Sequence, residues 1–150
     1  MTRSPKAPGQ GRKLSNFLCF AVYSANLAFG RAYKPVLDAL GLTYTQYIAL
    51  VALSEEDEQT VSALGDKLFL ESNTLTPILK KLEQMGFIQR HRDPKDERQV
   101  RVSQTAAGRR LLEKDIGESI VEATGLGKEF PAVQKTVSRL RDNLLRATRD

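Results

Sequence analysis

Residues 60–103 read TVSALGDKLFLESNTLTPILKKLEQMGFIQRHRDPKDERQVRVS, and the order of signals in this stretch decides the fold. Thr60 can cap a short helix whose Val61, Leu64 and Leu68 fall on one side. Phe69–Glu71 gives a tight connection. Ser72 can then cap a longer helix with Leu75, Ile78, Leu79 and Leu82 inward, ending at Gly86. A short helix, a tight turn and a longer helix make the helix-turn-helix pattern. The second helix turns Asn73, Thr74, Thr76, Lys80 and Lys81 outward, and Ser72 and Pro77 go with them. These are short polar and basic groups of the kind that meet bases and phosphates in a major groove. Next, residues 87–92 and 99–103 alternate at period two about the charged turn Asp93–Arg98, which reads as a β-hairpin. A hairpin directly after a helix-turn-helix is a wing, and Arg90, Arg92 and Arg98 make it basic. At its tip Asp96 stands two residues before Arg98, placed to hold a guanidinium that enters a groove.

Upstream, Leu14, Leu18, Ala21, Ala25 and Ala28 recur at helical spacing within residues 14–40, and Phe17, Phe20 and Phe29 widen the stripe. A helix so apolar on both sides predicts burial against more than one partner. Pro35 is expected to kink or end it, and Gly41 to stop it. Thr45 is expected to cap a second helix to about Glu55, with Tyr47, Ile48, Val51 and Ala52 inward. An acidic loop, Glu55–Glu58, follows. Downstream, Thr105 is expected to cap a helix with Leu111, Leu112, Ile116 and Ile120 inward, broken by Gly125 and Gly127. Pro131 fits the first turn of a last helix. Along that helix Val133, Val137, Leu140 and Leu144 leave an apolar seam for a partner chain to cover. The fold class is therefore mainly α with a β-hairpin wing. A single domain is expected over residues 14–150, after a disordered basic arm at residues 1–13.

The chain has 150 residues, 41% hydrophobic and 27% charged, an ordinary globular composition. It holds no 18-residue apolar run for a membrane span and opens without the apolar core of a secretory signal, so a cytoplasmic protein is expected. One cysteine excludes an internal disulfide framework, and one cysteine with one histidine falls short of the ligands a structural zinc site uses. No cofactor is expected. Net charge is +5, and its distribution is informative. Residues 1–13 carry +4. Residues 14–71, with three basic and seven acidic groups, carry −4. Residues 72–110, with nine basic and four acidic, carry +5, and residues 111–150 balance. Positive charge is thus concentrated on the two elements expected to face DNA. The competing reading is a winged helix used only for protein contact.

Cys19 lies early in the first helix beside Phe17, Leu18, Phe20 and Tyr23. Taken alone it reads as a buried structural cysteine. Tyr23, four residues on, shares its side of the helix. Tyr33 is fourteen residues on, about 21 Å along a straight helix at ~1.5 Å per residue, so only a kink or a second chain brings it to Cys19. No Lys, Arg or His lies within a turn. Stabilisation of a thiolate there would come from tyrosine hydroxyls and the helix N-terminus.

The segments Leu18–Tyr23, Ala32–Asp38, Leu42–Tyr47, Thr74–Glu83 and Asp96–Arg98 together resemble the organic-hydroperoxide-sensing branch of the MarR transcriptional regulators. The resemblance covers residues 14 to about 110, and Cys19, Tyr23 and Tyr33 at their spacing are its specific part. Glu71 and Asn73 stand where that branch commonly has Asp and Gly, and Lys81 where it has Arg. The resemblance implies a homodimer built on the first and last helices (residues 14–40 and 105–150), with a DNA-binding lobe over residues 60–103. It implies oxidation of Cys19 by an organic hydroperoxide, with Tyr23 and Tyr33 bonding the sulfur and Tyr33 reaching across the dimer. Phe17, Phe20, Val22, Tyr44 and Tyr47 would line the peroxide pocket. With no second cysteine, oxidation ends as a sulfenic acid, a sulfenamide, an overoxidised sulfur or a mixed disulfide with a low-molecular-weight thiol.

The expected function is a dimeric repressor that holds a pseudo-palindromic double-stranded operator and releases it when Cys19 is oxidised. The alternatives are a MarR-type repressor released by a small aromatic ligand and, further off, a one-cysteine thiol peroxidase. No arginine is placed to polarise a peroxide, which speaks against the enzyme.

Overall fold

The computed structural model describes residues 13–149, so all but the last residue of the arm expected at residues 1–13 lies outside the described residues. After a 3-10 turn at Leu14–Asn16 come α1 (Leu18–Leu40), α2 (Tyr44–Glu55), β1 (Gln59–Thr60), α3 (Val61–Leu68), α4 (Ser72–Gln84), β2 (Ile88–Arg92), β3 (Val100–Gln104) and α5 (Ala106–Leu111). Then follow α6 (Gly117–Ala123), a 3-10 turn at Gly127–Glu129 and α7 (Phe130–Ala147). The chain divides between Lys114 and Asp115 into two compact units. Among the described residues no single helix is long and apolar enough to cross a membrane.

In the first unit α1 runs through Pro35 to Leu40 rather than ending there. Proline removes only the bond to the Arg31 carbonyl, and both residues are exposed, so water can take that acceptor. The helix stops at Gly41 (φ 71°), where the Leu42 N–H reaches back to the Leu37 carbonyl at 3.0 Å and both leucines are buried. That Schellman geometry requires the left-handed residue glycine supplies. The cap of α2 is Thr43, two residues before the expected Thr45. Its hydroxyl accepts from the Gln46 N–H (3.3 Å) and the Gln46 side chain accepts from the Thr43 N–H (3.0 Å), a capping box. The inward residues of α2 are Gln46, Ala49, Leu50, Ala52 and Leu53; Tyr47, Ile48 and Val51 are half-buried.

Thr60 caps α3 as expected, accepting from the Ala63 N–H, and also lies in β1, a two-residue strand the sequence did not announce. Glu71, not Ser72, is the cap residue of α4; Ser72 is already in the first turn, where its carbonyl accepts the Thr76 hydroxyl at 2.7 Å. The hairpin forms as read, with Arg90 opposite Val102, and β1 adds to its far side to give the order β1-β3-β2. Leu50, Leu53, Leu64, Leu75, Leu79, Leu82, Ile88 and Val102 are fully buried. This one core joins α2, α3, α4 and the sheet, each large apolar side chain contributing roughly 1.5–3 kcal/mol.

The helix expected from Thr105 to Gly125 is two helices. Thr105 does cap α5, accepting from the Gly108 N–H. After Leu111 the chain tightens through Leu112 N–H to Arg109 C=O and Glu113 N–H to Arg110 C=O, and Asp115 Oδ1 then accepts from Gly117 N–H at the start of α6. That aspartate side chain offers the backbone an alternative to a continuous helix. In the second unit Ile116 and Ile120 are buried, Pro131 occupies the first turn of α7, and Val133, Val137 and Leu144 are exposed along it.

Candidate functional site

Two sets of residues carry chemistry. The first is the outer surface of α4 and the wing. Ser72, Asn73, Thr74, Pro77, Lys80 and Lys81 are exposed on α4, opposite the buried Leu75, Leu79 and Leu82. Thr76 is half-buried and its hydroxyl proton is committed to the Ser72 carbonyl, leaving it an acceptor and a methyl group. Neither Lys80 nor Lys81 is ion-paired among the described residues. On the wing Arg98 projects with its side chain 91% exposed while Nε donates to Asp96 Oδ1 at 3.2 Å. The aspartate restrains the arginine, as its position suggested, without covering it. Arg92 is exposed and donates to the Glu97 carbonyl at 2.8 Å.

Arg90 stands apart from this set. Its side chain is 23% exposed, and both its N–H and its guanidinium donate to the Glu83 carboxylate, at 2.9 and 3.1 Å. Those bonds hold the Glu83 carboxyl below the usual carboxylate range. Arg90 therefore ties β2 to the end of α4, and it offers DNA much less of its charge than Arg92 or Arg98.

Sequence reasoning passed over the residue that shapes the wing, Asp93. It is buried, its N–H donates to the Gln99 carbonyl, Oδ1 accepts the Lys95 N–H at 2.8 Å, and Oδ2 accepts Arg101 Nε at 2.8 Å. The bond from the Lys95 backbone, reinforced by Arg101, keeps its carboxyl below the usual range despite burial. The signal was present: an Asp that accepts from the N–H two residues on is an Asx turn, and Asp-Pro-Lys is a sequence that forms one.

The second set surrounds α1. Cys19 is the second residue of α1 and is exposed, so the buried structural reading does not hold for the single chain. Phe17, Phe20, Val22 and Tyr23 around it are exposed as well, with the Phe20 and Tyr23 rings 6.4 Å apart. Tyr44 and Tyr47 do not join this pocket within one chain. They pack on Tyr33, with ring centroids at 5.1 and 6.1 Å, because the turn at Gly41–Thr43 lays the start of α2 against the later part of α1. Burial, with Tyr44 and Tyr47 nearby, raises the Tyr33 pKa above the ordinary phenol value, so its hydroxyl remains a donor at neutral pH. With α1 unbroken between Cys19 and Tyr33, the two groups are about 21 Å apart along the axis.

A helix-turn-helix with an adjoining basic wing is the pattern of a DNA-binding lobe. The family model of the transcriptional regulator SarA/Rot matches residues 31–114, the stretch that spans the tyrosine cluster, the helix-turn-helix and the wing. The chain belongs to this MarR-like family of winged-helix transcriptional regulators. It is 46% identical over 119 residues to the organic hydroperoxide resistance transcriptional regulator of Bacillus subtilis, covering 78% of this chain and 79% of that one. It is 50% identical over 136 residues to the HTH-type transcriptional regulator TtmR of Methylorubrum extorquens, covering 89% and 70%. Among solved structures, reduced AbfR bound to DNA superposes with a TM-score of 0.77 at 35% identity, over 93% of this chain and 99% of that one. AbfR comes from Staphylococcus epidermidis and has also been solved overoxidised on DNA and as a disulfide. The relatives are named regulators, not enzymes.

Proposed function

We propose that the protein is a dimeric MarR-type repressor that binds a pseudo-palindromic operator and senses organic hydroperoxides through Cys19, acting in the cytoplasm. One observation carries this reading: the sensor residues are divided between the two ends of an unbroken α1, with Cys19, Phe17, Phe20, Val22 and Tyr23 at one end and Tyr33, Tyr44 and Tyr47 at the other. Two copies of α1 related by a two-fold axis and running antiparallel set each cysteine against the partner's tyrosines, and such an axis closes as a dimer. The exposed apolar surface of α1 (Phe17, Phe20, Leu27, Phe29) and of α7 (Val133, Val137, Leu144) is what a second copy would cover.

In the completed site the Cys19 thiolate attacks one oxygen of the peroxide O–O bond. The S–O bond forms, the O–O bond breaks, and the alkoxide leaves as an alcohol after taking a proton. Sulfur is oxidised by two electrons to the sulfenic acid, and the peroxide is reduced. Tyr23 and Tyr33 hydroxyls hydrogen-bond the thiolate before the reaction, and the aromatic lining favours an alkyl or aryl peroxide over hydrogen peroxide. With no second cysteine in the chain, the sulfenic acid either persists, closes to a sulfenamide, is overoxidised, or condenses with a low-molecular-weight thiol to a mixed disulfide with loss of water. Loss of the tyrosine bonds alters the dimer seam and so the spacing of the two lobes. The DNA contacts come from Ser72, Asn73, Thr74, Thr76, Pro77, Lys80 and Lys81 on α4, and from Arg92 and Arg98, with Asp96 positioning Arg98. The test is a gel shift of reduced protein on its operator with and without cumene hydroperoxide. Wild type should release DNA, and Cys19→Ser should bind and ignore the peroxide. Release by Cys19→Ser would show that the sensor lies elsewhere.

A further inference from the structure

We infer that α2 is the rod that carries the redox signal from the tyrosine cluster to the wing, and that Arg101 is the positioning residue joining rod to wing. The inference rests on the proposed sensing role of Cys19 and Tyr33. One end of α2 carries Tyr44 and Tyr47, which pack on Tyr33. Its middle is packed in the core, with Ala49, Leu50 and Leu53 fully covered, and its other end runs into the loop Glu56–Glu58. A close-packed helix moves as a unit instead of deforming along its length, so a shift at Tyr44 is delivered to that loop.

The loop is built to pass the movement on. Glu58 is held in the left-handed conformation (φ 56°), unfavourable for a side chain of its kind, and Asp57 Oδ1 accepts its N–H at 2.9 Å. Such a conformation persists only where its surroundings fix it. The Glu58 carbonyl accepts Arg101 Nη1 at 2.7 Å, while Arg101 Nε donates to Asp93 Oδ2 at 2.8 Å. One guanidinium thus spans from the loop that follows α2 to the aspartate that organises the wing turn carrying Arg98. Other bonds, Gln59 Nε2 to the Ala52 carbonyl (3.1 Å) and Gln104 Nε2 to the Leu50 carbonyl (3.0 Å), fix the base of the sheet to α2. Among the hydrogen bonds of the described residues, the Arg101 clasp is the one that links a residue outside the hairpin, Glu58, to the wing turn at residues 93–99. Asp57 also pairs with Arg109 of α5 at 3.1 Å and accepts the Gln104 N–H, so the same loop grips the first helix beyond the wing.

Lysine in place of Arg101 keeps a cation for Asp93 but lacks the fork that reaches two acceptors at once. The experiment measures operator affinity of wild type and Arg101→Lys, reduced and after cumene hydroperoxide, with Cys19 oxidation followed by mass spectrometry in the same samples. Arg101→Lys should bind DNA when reduced and oxidise at the wild-type rate, yet lose about tenfold of the ratio between reduced and oxidised affinities, within the usual range of coupling between sites. An unchanged ratio, including one where both affinities fall equally, would show that Arg101 is merely structural and overturn the inference. Should the variant bind too weakly to titrate, hydrogen exchange of the DNA-free protein decides. Oxidation should loosen the Asp93, Lys95 and Gln99 amides in wild type and leave them unchanged in Arg101→Lys; equal loosening in both refutes it. A wild type that oxidises without releasing DNA would instead sink the sensing function itself.

Discussion

Gly65 in α3 sets how closely the recognition helix follows the turn before it, and Gly65→Ala measures that constraint. A Cβ at position 65 would lie 2.6 Å from the Leu70 carbonyl oxygen, where ordinary contact begins at 3.4 Å. Relief therefore needs a displacement of about 0.8 Å. The obstacle is main chain, and it is pinned, because the Leu70 N–H donates to the Gly65 carbonyl at 2.9 Å. Two effects compete. Alanine gains about 1 kcal/mol over glycine inside a helix, while forcing extra volume into a packed site costs roughly 1–3 kcal/mol and shifts backbone. The clash wins because nothing flexible can yield, so the variant should be less stable by about 1 kcal/mol or more. The shift should also reach DNA. Leu70 is two residues from the start of α4, and moving Asn73 and Thr74 by a large fraction of an ångström spoils base contacts worth about 1–3 kcal/mol each. Urea unfolding gives the stability change. Titration against operator and against random DNA at one salt concentration gives the specificity change, with operator affinity falling more. A Gly65→Ala protein as stable and as selective as wild type would refute this account of the turn.

In the proposed complex Arg98 neutralises one DNA phosphate, so Arg98→Ala should lower the slope of log affinity against log salt by about 0.9; an unchanged slope would take the wing tip off the DNA. Asp93 has a depressed pKa in the fold, so its contribution to stability is complete above the unfolded carboxyl value of about 4 and fades as pH falls below it. The stability gap between wild type and Asp93→Asn, followed by denaturant midpoints from neutral pH downward, should accordingly be constant to about pH 5 and narrow below about pH 4; a gap still at full size in strong acid would contradict the assigned cause. Thr43→Ala removes the capping box of α2 and should cost about 1 kcal/mol, whereas Thr45→Ala should cost little in the same unfolding assay. Tyr33→Phe keeps the ring packing on Tyr44 and Tyr47 but deletes the hydroxyl, so DNA binding should persist while cumene hydroperoxide acts slowly or not at all; a wild-type response rate would remove Tyr33 from the sensor.

Local signals in the chain were enough to read the helix-turn-helix and wing. Thr60 before a leucine-spaced run, period-two alternation at residues 87–92 and Gly86 after α4 act over a few residues and reappear in the structure almost where they stand. Position-level readings failed where two local options were close in energy. Thr43 and Thr45 both suit a cap, and Gln46 decides between them by completing the box at Thr43. The break between α5 and α6 turned on an Asp115 side chain competing for a backbone N–H. Arg90 and Arg101 are alike to a sequence reader, basic residues on one hairpin, yet one is bound to Glu83 and the other to Asp93 and Glu58. Only the fold settles that, because the carboxylates lie seven or eight residues away along the chain and the Glu58 carbonyl lies forty-three. The same holds for the tyrosines. The amino-acid sequence placed Cys19 and Tyr33 on one helix and showed that they could not meet along it if it ran straight. That Tyr44 and Tyr47 gather on Tyr33, at the far end from the cysteine, was decided by the turn at Gly41 and by the burial of Leu37 and Leu42 beneath it, an arrangement that exists only once α2 has folded back on α1.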